Sequence, residues 1–327
     1  MPTHPTRRLG RALLAALALW AGFLPPATAA YPDKPIRFII PSAPGGSPDV
    51  IMRLVLNQMS QQMGQPIVVE NKPGASYFIG TADIVRAAPD GYTLGYGNIV
   101  SLAINRGLFS KIPYDVDRDL TLVTNLVSVS NLLVVNNNLP VRNVQELIDY
   151  ARRNPGRLSM ASAGNGTTGH LGGELFKAMT GTFMLHIPYR GSAQAINDLV
   201  GGEVQVMFDN TPSIGPHVKA GKVRALGVSS AKRAGEFPDV PPIGDTVKGY
   251  ETTAWGGIIG PANLPREVVA RLVAEARRAL ASPNVREALR KLEAEPDGGT
   301  PEQFVELVRR ETPKWADVIR RSGAKVD

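Results

Sequence analysis

The 327-residue chain contains no cysteine, and this absence excludes several kinds of chemistry. It rules out disulfides, a thiol nucleophile and metal sites built on thiolates, even in an oxidising compartment. It also excludes a lipid-modified cysteine, so we expect a protein without a lipid anchor. A chain of this length can be held together by its hydrophobic core alone.

Long apolar runs and clustered charge are also scarce. Beyond residues 12–24, no segment approaches the ~20 apolar residues that a membrane helix needs. The net charge of +7 falls to 33 − 29 = +4 without the first thirty residues, which carry three arginines and no acids. The basic residues are scattered and not interleaved with aromatics, which argues against nucleic-acid binding. A mildly basic surface fits an anionic ligand, but also an ordinary solvated face.

The first thirty residues have the pattern of a secretory signal peptide. Three arginines precede an apolar run over 12–24, and small residues follow at 27–30. A buried N-terminal helix is the alternative, but the Pro25-Pro26 pair would end it. We therefore predict a signal peptide over 1–30 and a soluble protein in the periplasm.

Short runs rich in Ile and Val alternate with helical patterns in the following hundred residues. We predict strands at 36–40, 67–69 and 92–96, and helices at 50–63 and 81–88. This order implies right-handed crossovers and a mostly parallel sheet covered by helices.

The same alternation restarts in the middle of the chain and predicts a second α/β unit. A last strand at 253–259 precedes a mainly helical end, in which helices start at Pro265 and, with a capping box, at Thr300. The predicted elements of the second unit are a strand at 132–135, a helix at 144–153, a strand at 158–161, a helix at 168–179, a strand at 183–187, a helix at 192–200, and strands at 204–208 and 223–228.

A glycine-rich segment at 41–49 leaves the first strand and enters a helix. Gly45 and Gly46 allow a ligand to approach the backbone, and Ser47 is a predicted N-cap. A helix N-terminus at the carboxyl edge of an open sheet suits an anion, although the segment also reads as a plain turn. The spacing matches neither a P-loop nor a dinucleotide fingerprint. The candidate ligand contacts here are Ala43, Pro44, Gly45, Gly46, Ser47 and Asp49.

A second glycine-rich segment, at 162–170, has the same strand-to-helix context in the second unit. The two segments would face each other across a cleft and hold an anion through backbone N–H groups. His170 falls in the first turn of its helix, where it contacts the ligand or serves in capping and packing. The candidate contacts here are Gly164, Gly166, Thr167, Thr168 and His170.

Further strand ends carry polar side chains. Arg190 would contact a carboxylate directly or lie on the surface. Asp209 would contact the ligand or orient backbone donors. The candidates in this group are Asn98, Ser101, Arg190, Gly191, Ser192 and Asp209.

Signals for catalysis are weak. No Gly-x-Ser-x-Gly segment is present, and His186 and His217 lack metal-ligand spacing with carboxylates. We predict no enzymatic activity, no metal and no cofactor. A secreted hydrolase that uses Ser47 or Ser192 with His170 is the alternative from this class.

In these segments the chain resembles the receptors of tripartite tricarboxylate transporters, the Bug or TctC family. The resemblance covers essentially the whole chain after the signal peptide, and the order and spacing of the segments make it specific. The matching segments are 31–37, 44–49, 71–75, 88–94, 97–98, 166–171, 188–191, 206–210 and 220–226.

The resemblance implies an α/β type II periplasmic-binding-protein fold, with two α/β lobes joined by two crossover strands and a ligand cleft between them. Lobe 1 would take residues 31–129 and 253–327, and lobe 2 residues 130–252. The two glycine-rich segments would grip a ligand carboxylate, partly through ordered waters. The partners would be one small and one large membrane protein of an ion-driven transporter, and the receptor itself a monomer. A receptor that docks onto a membrane sensor kinase is the alternative.

The chain departs from the family pattern at one place. The family commonly has Gly-Gly-Asn after Pro-Gly-Ala, whereas Ser76-Tyr77-Phe78 stands here. If Tyr77 and Phe78 contact the ligand, they favour an aromatic, longer or less polar acid. Alternatively, the two rings pack against their own loop.

Overall fold

The structure, a computed structural model, describes residues 31–324 apart from the side chain of Ala75. The predicted signal peptide at 1–30 lies outside the described residues. All the helices and strands given below belong to the unit that begins at Lys34.

The first half of the sheet is built on three parallel strands. Strand β1 (Ile36–Ile40) lies between β2 (Ile67–Asn71) and β3 (Thr93–Asn98). The last three residues of β1 are fully buried, as expected for a parallel strand covered on both faces. The helices of this region are α1 (Ser47–Met63), α2 (Phe78–Val85), α3 (Asn105–Leu108) and α4 (Val116–Asp119), with a 3₁₀ turn at Ala75–Tyr77 and a π-helical turn at Val100–Ile104.

One strand, β4 (Leu120–Asn136), runs through both halves of the sheet. Its 17 residues pair with the later strand β9 along 120–130 and with strands of the second half along 131–136. Because β4 and β9 lie side by side at the centre, they form the connection between the two halves.

The second half repeats the parallel arrangement. Strand β5 (Ser159–Ser162) lies between β6 (Leu185–Pro188) and β7 (Val206–Asn210), and β8 (Val223–Val228) is antiparallel to β4. Its helices are α5 (Val144–Arg153), α6 (Thr168–Thr180), α7 (Ser192–Gly201), α8 (Thr211–Lys219) and α9 (Ile243–Thr246).

The chain then returns to the first half through β9 (Thr253–Pro261), which completes the strand order β2-β1-β3-β9-β4-β7-β5-β6. A short strand, β10 (Ala294–Pro296), pairs with β4. Three helices end the described chain: α10 (Arg266–Ala281), α11 (Pro283–Lys291) and α12 (Pro301–Ser322).

Helix α12 holds the two halves together at the back of the sheet. It begins with the predicted capping box of Thr300 and Gln303, and it packs on α6 of the second half as well as on β4 and the π-helical turn. Trp315 of this helix is completely buried, and its indole N–H donates to Glu311 at 3.2 Å. Within residues 31–324, no helix combines the length and hydrophobicity of a transmembrane span.

The structure corrects several details of the predicted elements. Strand β4 is much longer than 132–135, because buried Thr124 and Asn125 interrupt its apolar pattern while their side chains bond to the 297–299 segment. Helix α8 was not predicted, since its prolines mask the helical pattern. The N-cap of α1 is Gly46 rather than Ser47, and Pro265 is the N-cap of α10 rather than its first residue.

Candidate functional site

A cavity of about 590 Å³ is lined by residues of both halves of the sheet. The segment at 41–49, named the first loop, and the segment at 162–170, named the second loop, both lie on its wall. The first loop contributes Pro41, Ser42, Ala43, Gly46, Ser47 and Pro48, and the second contributes Ala163, Gly164, Asn165, Thr167, Thr168 and Gly169.

Five helices begin at this wall, because their N-caps all line the cavity: Gly46 for α1, Tyr77 for α2, Thr167 for α6, Gly191 for α7 and Asn210 for α8. Three of them, α1, α6 and α7, start at the segments that the sequence predicts to bind the ligand. The first N–H groups of a helix have no partner within that helix, and they carry a partial positive charge. The cavity is therefore surrounded by uncharged donors that suit an anion.

The first loop is held from behind by the carboxylate of Asp49. The carboxylate accepts the backbone N–H of Gly45 at 3.0 Å, the side-chain amide of Asn71 at 2.9 Å and the Arg53 Nε–H at 2.9 Å. Burial acts to raise the pKa of Asp49, but these hydrogen bonds together outweigh it and hold the pKa below its usual value. Asp49 is therefore an ionised anchor of the loop.

The second loop is held by two histidines instead. The backbone N–H of Gly166 donates to His170 Nδ1 at 3.0 Å, and His186 Nε2 lies 2.7 Å from Ser162 Oγ. The Ser162 hydroxyl in turn accepts the N–H of Gly164 at 3.2 Å. The two imidazole rings stack with their centroids 4.0 Å apart.

Both imidazoles are neutral in this packing. Burial, with smaller effects from His186 and Lys177, lowers the pKa of His170 to about 3. Burial and Lys177 lower the pKa of His186 to about 4. Because His170 Nδ1 accepts a hydrogen bond, the neutral ring carries its proton on Nε2.

Within the described residues, His170, His186 and Glu174 form the one cluster with side chains suited to a metal ion. A metal ion on His170 Nε2 would move the ring proton to Nδ1 and break the bond from Gly166, whereas metal-bound histidines usually donate through their second nitrogen. Glu174 already pairs with Lys177 at 2.7 Å. The hydrogen bonds of this cluster therefore suit a support for the loop better than a metal site.

Two charged side chains line the cavity within the described residues: Arg190, which is exposed, and Asp209, which is buried. Burial raises the pKa of Asp209 to about 6, against hydrogen bonds from the hydroxyls of Ser213 at 2.5 Å and Ser192 at 3.0 Å and from the Asn210 N–H. Ser192 is the first residue of α7, so Asp209 fixes the start of that helix.

The two aromatic residues that depart from the family pattern lie in different places. Tyr77 lines the cavity, and burial raises its pKa to about 12 despite a hydrogen bond with the Asn98 side chain. The ring of Phe78 packs edge-on against Phe109, at 4.8 Å between centroids, and against Tyr114. Only the first of the pair is placed to touch a ligand.

A hydrogen bond joins the two halves beside the cavity. The hydroxyl of Ser76 donates to the carbonyl oxygen of Asn165 in the second loop at 3.1 Å. The side-chain amide of Asn105 donates to the backbone carbonyl oxygen of Ser76 at 2.8 Å. Gly191 also approaches the first loop, since a Cβ atom there would lie 2.9 Å from Ala43 Cβ. The cleft is therefore closed along this side.

The central strands supply a part of the wall that sequence reasoning missed. Tyr96 of β3, Val127 and Val129 of β4, and Ala254 and Trp255 of β9 line the cavity, and we name them the floor. The alternation of Val127 and Val129 within β4 indicates a strand with one apolar face, but it identifies neither the neighbouring strands nor a cavity.

The structure divides the predicted site residues into two groups. Those on the cavity wall are Ala43, Gly46, Ser47, Tyr77, Asn98, Gly164, Thr167, Thr168, Arg190, Gly191, Ser192 and Asp209. Those that do not line the cavity are Pro44, Gly45, Asp49, Phe78, Ser101, Gly166 and His170, of which Pro44 and Gly45 are exposed to solvent. Several residues of this second group hold residues of the first group in place. Ser101, for example, accepts the backbone N–H of Asn98 at 3.1 Å.

Comparison with solved structures identifies the class of protein: the structure of the periplasmic binding protein BugD has a TM-score of 0.86 at 32% identity, and covers 90% of this chain and 99% of that one. The structure titled R. palustris Rpa4515 with adipate has a TM-score of 0.88 at 36% identity, and covers 90% of this chain and 100% of that one. MatC from Rhodopseudomonas palustris with bound malate has a TM-score of 0.83 at 31% identity, and covers 88% and 100%. The predicted two-lobed α/β fold is confirmed.

The family follows from the sequence comparisons. Residues 51–324 match the Tripartite tricarboxylate transporter family receptor, known as TctC. Protein BugT of Bordetella pertussis is 35% identical over 322 residues, which cover 96% of this chain and 98% of BugT. The chain belongs to this family of periplasmic solute-binding receptors, and the predicted family resemblance is confirmed.

Proposed function

We propose that the protein captures a small organic carboxylate between its two glycine-rich loops and delivers it to a tripartite transporter with one small and one large membrane protein. The observation that carries this proposal is the convergence of the N-termini of α1, α6 and α7, from both halves, on one cavity. The solved relatives named with adipate and malate support a carboxylate as the ligand class.

Backbone N–H groups bind a carboxylate without a buried cation, whose desolvation is costly. Arg190 at the exposed rim attracts the anion, while the donors of α1, α6 and α7 hold it, partly through ordered waters. Asp209 orients the start of α7 rather than contacting the carboxylate. Its two hydroxyl donors already occupy both carboxylate oxygens.

The lobes in this proposal are residues 31–129 with 253–327, and residues 130–252. The ligand bridges the first loop of one lobe and the second loop of the other, and it stabilises the closed form through the contacts made there. Movement takes place about β4 and β9, the two strands shared by the halves. The receptor acts as a monomer in the periplasm, after removal of the signal peptide, without a lipid anchor.

A hydrolase is a poorer fit to the same geometry. His170 lies behind the second loop, with Nδ1 engaged by Gly166 and its ring stacked on His186. A general base must reach the nucleophile hydroxyl, and this ring does not share the cavity wall with Ser47 or Ser192.

Isothermal titration with a panel of aliphatic and aromatic carboxylates tests the proposal. We expect at least one acid to bind with a Kd in the micromolar range or below, which corresponds to about −8 kcal/mol. The matched control is the primary amide of the same acid, which has no charge for the helix N-termini to stabilise. We expect the amide to bind at least about 100-fold more weakly. Absence of saturable binding across the panel, or equal binding of the amide, would contradict the proposal.

A further inference from the structure

Asp209 is the one acidic side chain on the cavity wall among the described residues. It lies near the end of β7, and only 5% of the residue is exposed. Its carboxylate accepts the hydroxyl of Ser192 at 3.0 Å and the hydroxyl of Ser213 at 2.5 Å. Because these serines belong to the first turns of α7 and α8, a negative charge on Asp209 is placed at the positive ends of two helices.

Asp209 and the proposed ligand site share the same helix starts. Gly191 and Ser192, the N-cap and the first residue of α7, line the cavity, and Ser192 is the residue that binds Asp209. Gly169, in the first turn of α6, lies against the backbone of Asp209, since a Cβ atom there would lie 4.0 Å from the Asp209 nitrogen. A ligand carboxylate held by these turns would lie roughly 5–8 Å from the Asp209 carboxylate, because one helical turn rises only about 5.4 Å. Two negative charges at this distance repel each other through space, without contact.

No cation within residues 31–324 neutralises Asp209. Burial raises its pKa to about 6, and the opposing causes are hydrogen bonds from Ser213, Ser192 and the Asn210 N–H rather than a neighbouring charge. Tyr77 is near enough for the charge of Asp209 to raise the pKa of its phenol, which therefore stays neutral. The titratable or charged side chains on the elements around Asp209 are Tyr77 before α2, His170, Glu174 and Lys177 on α6, Arg190 before α7, Asp198 on α7, and His217 and Lys219 on α8.

A proton on Asp209 removes the repulsion. At pH 7 about nine in ten Asp209 side chains are ionised in the ligand-free protein, because the pKa is about 6. When two carboxylates share a site, the pKa of one of them rises. The ligand carboxylate stays ionised because the helix N–H groups stabilise its charge, so Asp209 takes the proton. A protonated Asp209 still bonds both serines, since its carbonyl oxygen accepts from one hydroxyl and its O–H donates to the other.

A ligand ammonium group fits Asp209 less well than a proton does. An ionised carboxylate has about four acceptor positions. The hydroxyls of Ser192 and Ser213 and the N–H of Asn210 already use three of them, and Asp209 is nearly enclosed. An ammonium group needs an open face of the carboxylate, whereas a proton needs one lone pair.

We propose that the protein captures its anion together with a proton, which binds to Asp209 as the ligand carboxylate arrives at the start of α7. This inference rests on the proposed function, because it takes the ligand to be an anion held by that helix. The proton is then a second ligand, and capture becomes tighter as the surroundings become more acidic.

Isothermal titration at pH 7 in buffers of different ionisation enthalpy, such as PIPES and imidazole, counts the protons taken up with the ligand. The probe is the tightest-binding acid of a panel that starts with adipate, hexanoate and benzoate. We expect uptake of about half a proton or more per ligand molecule, because most Asp209 side chains are ionised beforehand. The Kd at pH 6 should also be at least about fivefold lower than the Kd at pH 8. His170 and His186, whose pKa values are about 3 and about 4, stay neutral in this range.

Asp209→Asn removes the proton acceptor and keeps the shape of the side chain. Proton uptake should fall below about 0.1 per ligand molecule, and the Kd should no longer change between pH 6 and pH 8. His217→Gln is the matched control, because this histidine of α8 also titrates but does not line the cavity, and the uptake should be unchanged. Ser213→Ala keeps the test decisive if Asp209→Asn does not fold. Loss of this hydroxyl disfavours the ionised carboxylate, so the largest uptake should move to a higher pH.

Each result decides one point. A carboxylate that binds the unaltered protein without proton uptake overturns this inference and leaves the proposed function standing. Uptake that survives in Asp209→Asn, or an uptake maximum that does not move in Ser213→Ala, overturns the role of Asp209. Tighter binding of 6-aminohexanoate than of hexanoate, without uptake, would show that an ammonium group neutralises Asp209 instead of a proton. If no carboxylate binds at all, the proposed function itself fails.

Discussion

The two glycine-rich loops both lead into a helix at the cavity but are anchored by different chemistry. The first loop is tied to an ionised carboxylate, Asp49, which Arg53 and Asn71 also hold. The second loop is tied to the neutral stacked rings of His170 and His186. The carboxylate that anchors the first loop and the imidazoles that anchor the second therefore differ in their proton affinity.

This difference gives the loops different acid sensitivity. The native pKa of Asp49 is depressed, so its contribution to stability is present above the unfolded value of about 3.8 and is lost only at lower pH. The native pKa values of the histidines are also depressed, so the unfolded chain takes up protons first, below about pH 6.5. Between pH 6.5 and pH 4.5, only the second loop loses stabilisation from its anchors.

The largest expected effect on stability comes from a difference in how tightly the two loops are packed. In Gly169→Ala, the new Cβ would lie 2.1 Å from the backbone oxygen of Phe208, which cannot move without displacing β7. We expect the free energy of unfolding to fall by about 3 kcal/mol. Gly46→Ala is the matched change at the first loop, where the nearest atom is 3.7 Å away, and it should cost at most about 1 kcal/mol, the loss expected when alanine replaces a favoured N-cap residue. Urea unfolding that shows equal losses would break this contrast.

The next largest effect concerns the dependence of stability on pH. From pH 7.5 to pH 5, an unfolded histidine protonates while His186 does not, which costs about 2 kcal/mol of stability. His186→Gln removes this loss, so its stability should fall by about 2 kcal/mol less than that of the unaltered protein. Asp209, whose native pKa is raised to about 6, acts in the opposite direction, but equally in both proteins. The nearby charged residues Lys177 and Glu174 are also present in both proteins. Parallel curves of stability against pH would contradict the role given to the imidazole.

Asp49→Asn tests the charged anchor of the first loop. The amide can still accept from Gly45, but its NH₂ group opposes the donors of Arg53 and Asn71, so we expect a loss of about 1–2 kcal/mol at pH 7.5. The change in stability between pH 7.5 and pH 5 should match that of the unaltered protein. Asp317→Asn, which alters an exposed ion pair on α12, is the control and should change stability little. A changed acid slope in Asp49→Asn would show that the two anchors are not independent.

The smallest expected effect concerns the hydrogen bond across the cleft. Ser76→Ala removes the bond from Ser76 Oγ to the Asn165 carbonyl, which helps to hold the closed form. We expect about threefold weaker binding of whichever carboxylate the panel identifies, with unchanged thermal stability of the ligand-free protein. Ser230→Ala, which removes a local bond to Lys232, is the control. Unchanged affinity in Ser76→Ala would mean that this contact contributes nothing to closure.

The sequence predicted the loops well because their signals are local. Glycines and a first-turn Pro48 act within a few residues of the chain, although the predicted cap, Ser47, is the first residue of α1 and Gly46 is its N-cap. The floor is different, because Val127 and Trp255 come together only when β4 pairs with β9, more than a hundred residues later. Similarly, nothing local decides that Tyr77 faces the cavity while Phe78 packs against Phe109.

The packing of helix α12 has a consequence for the lobe movement proposed above. It packs on α6, which carries the second loop at its start, and also on the π-helical turn of the first half. Any opening of the cleft would therefore require α12 to move relative to α6 or relative to the π-helical turn. In the lobe movement proposed above, the packing of α12 on both halves would resist opening of the cleft.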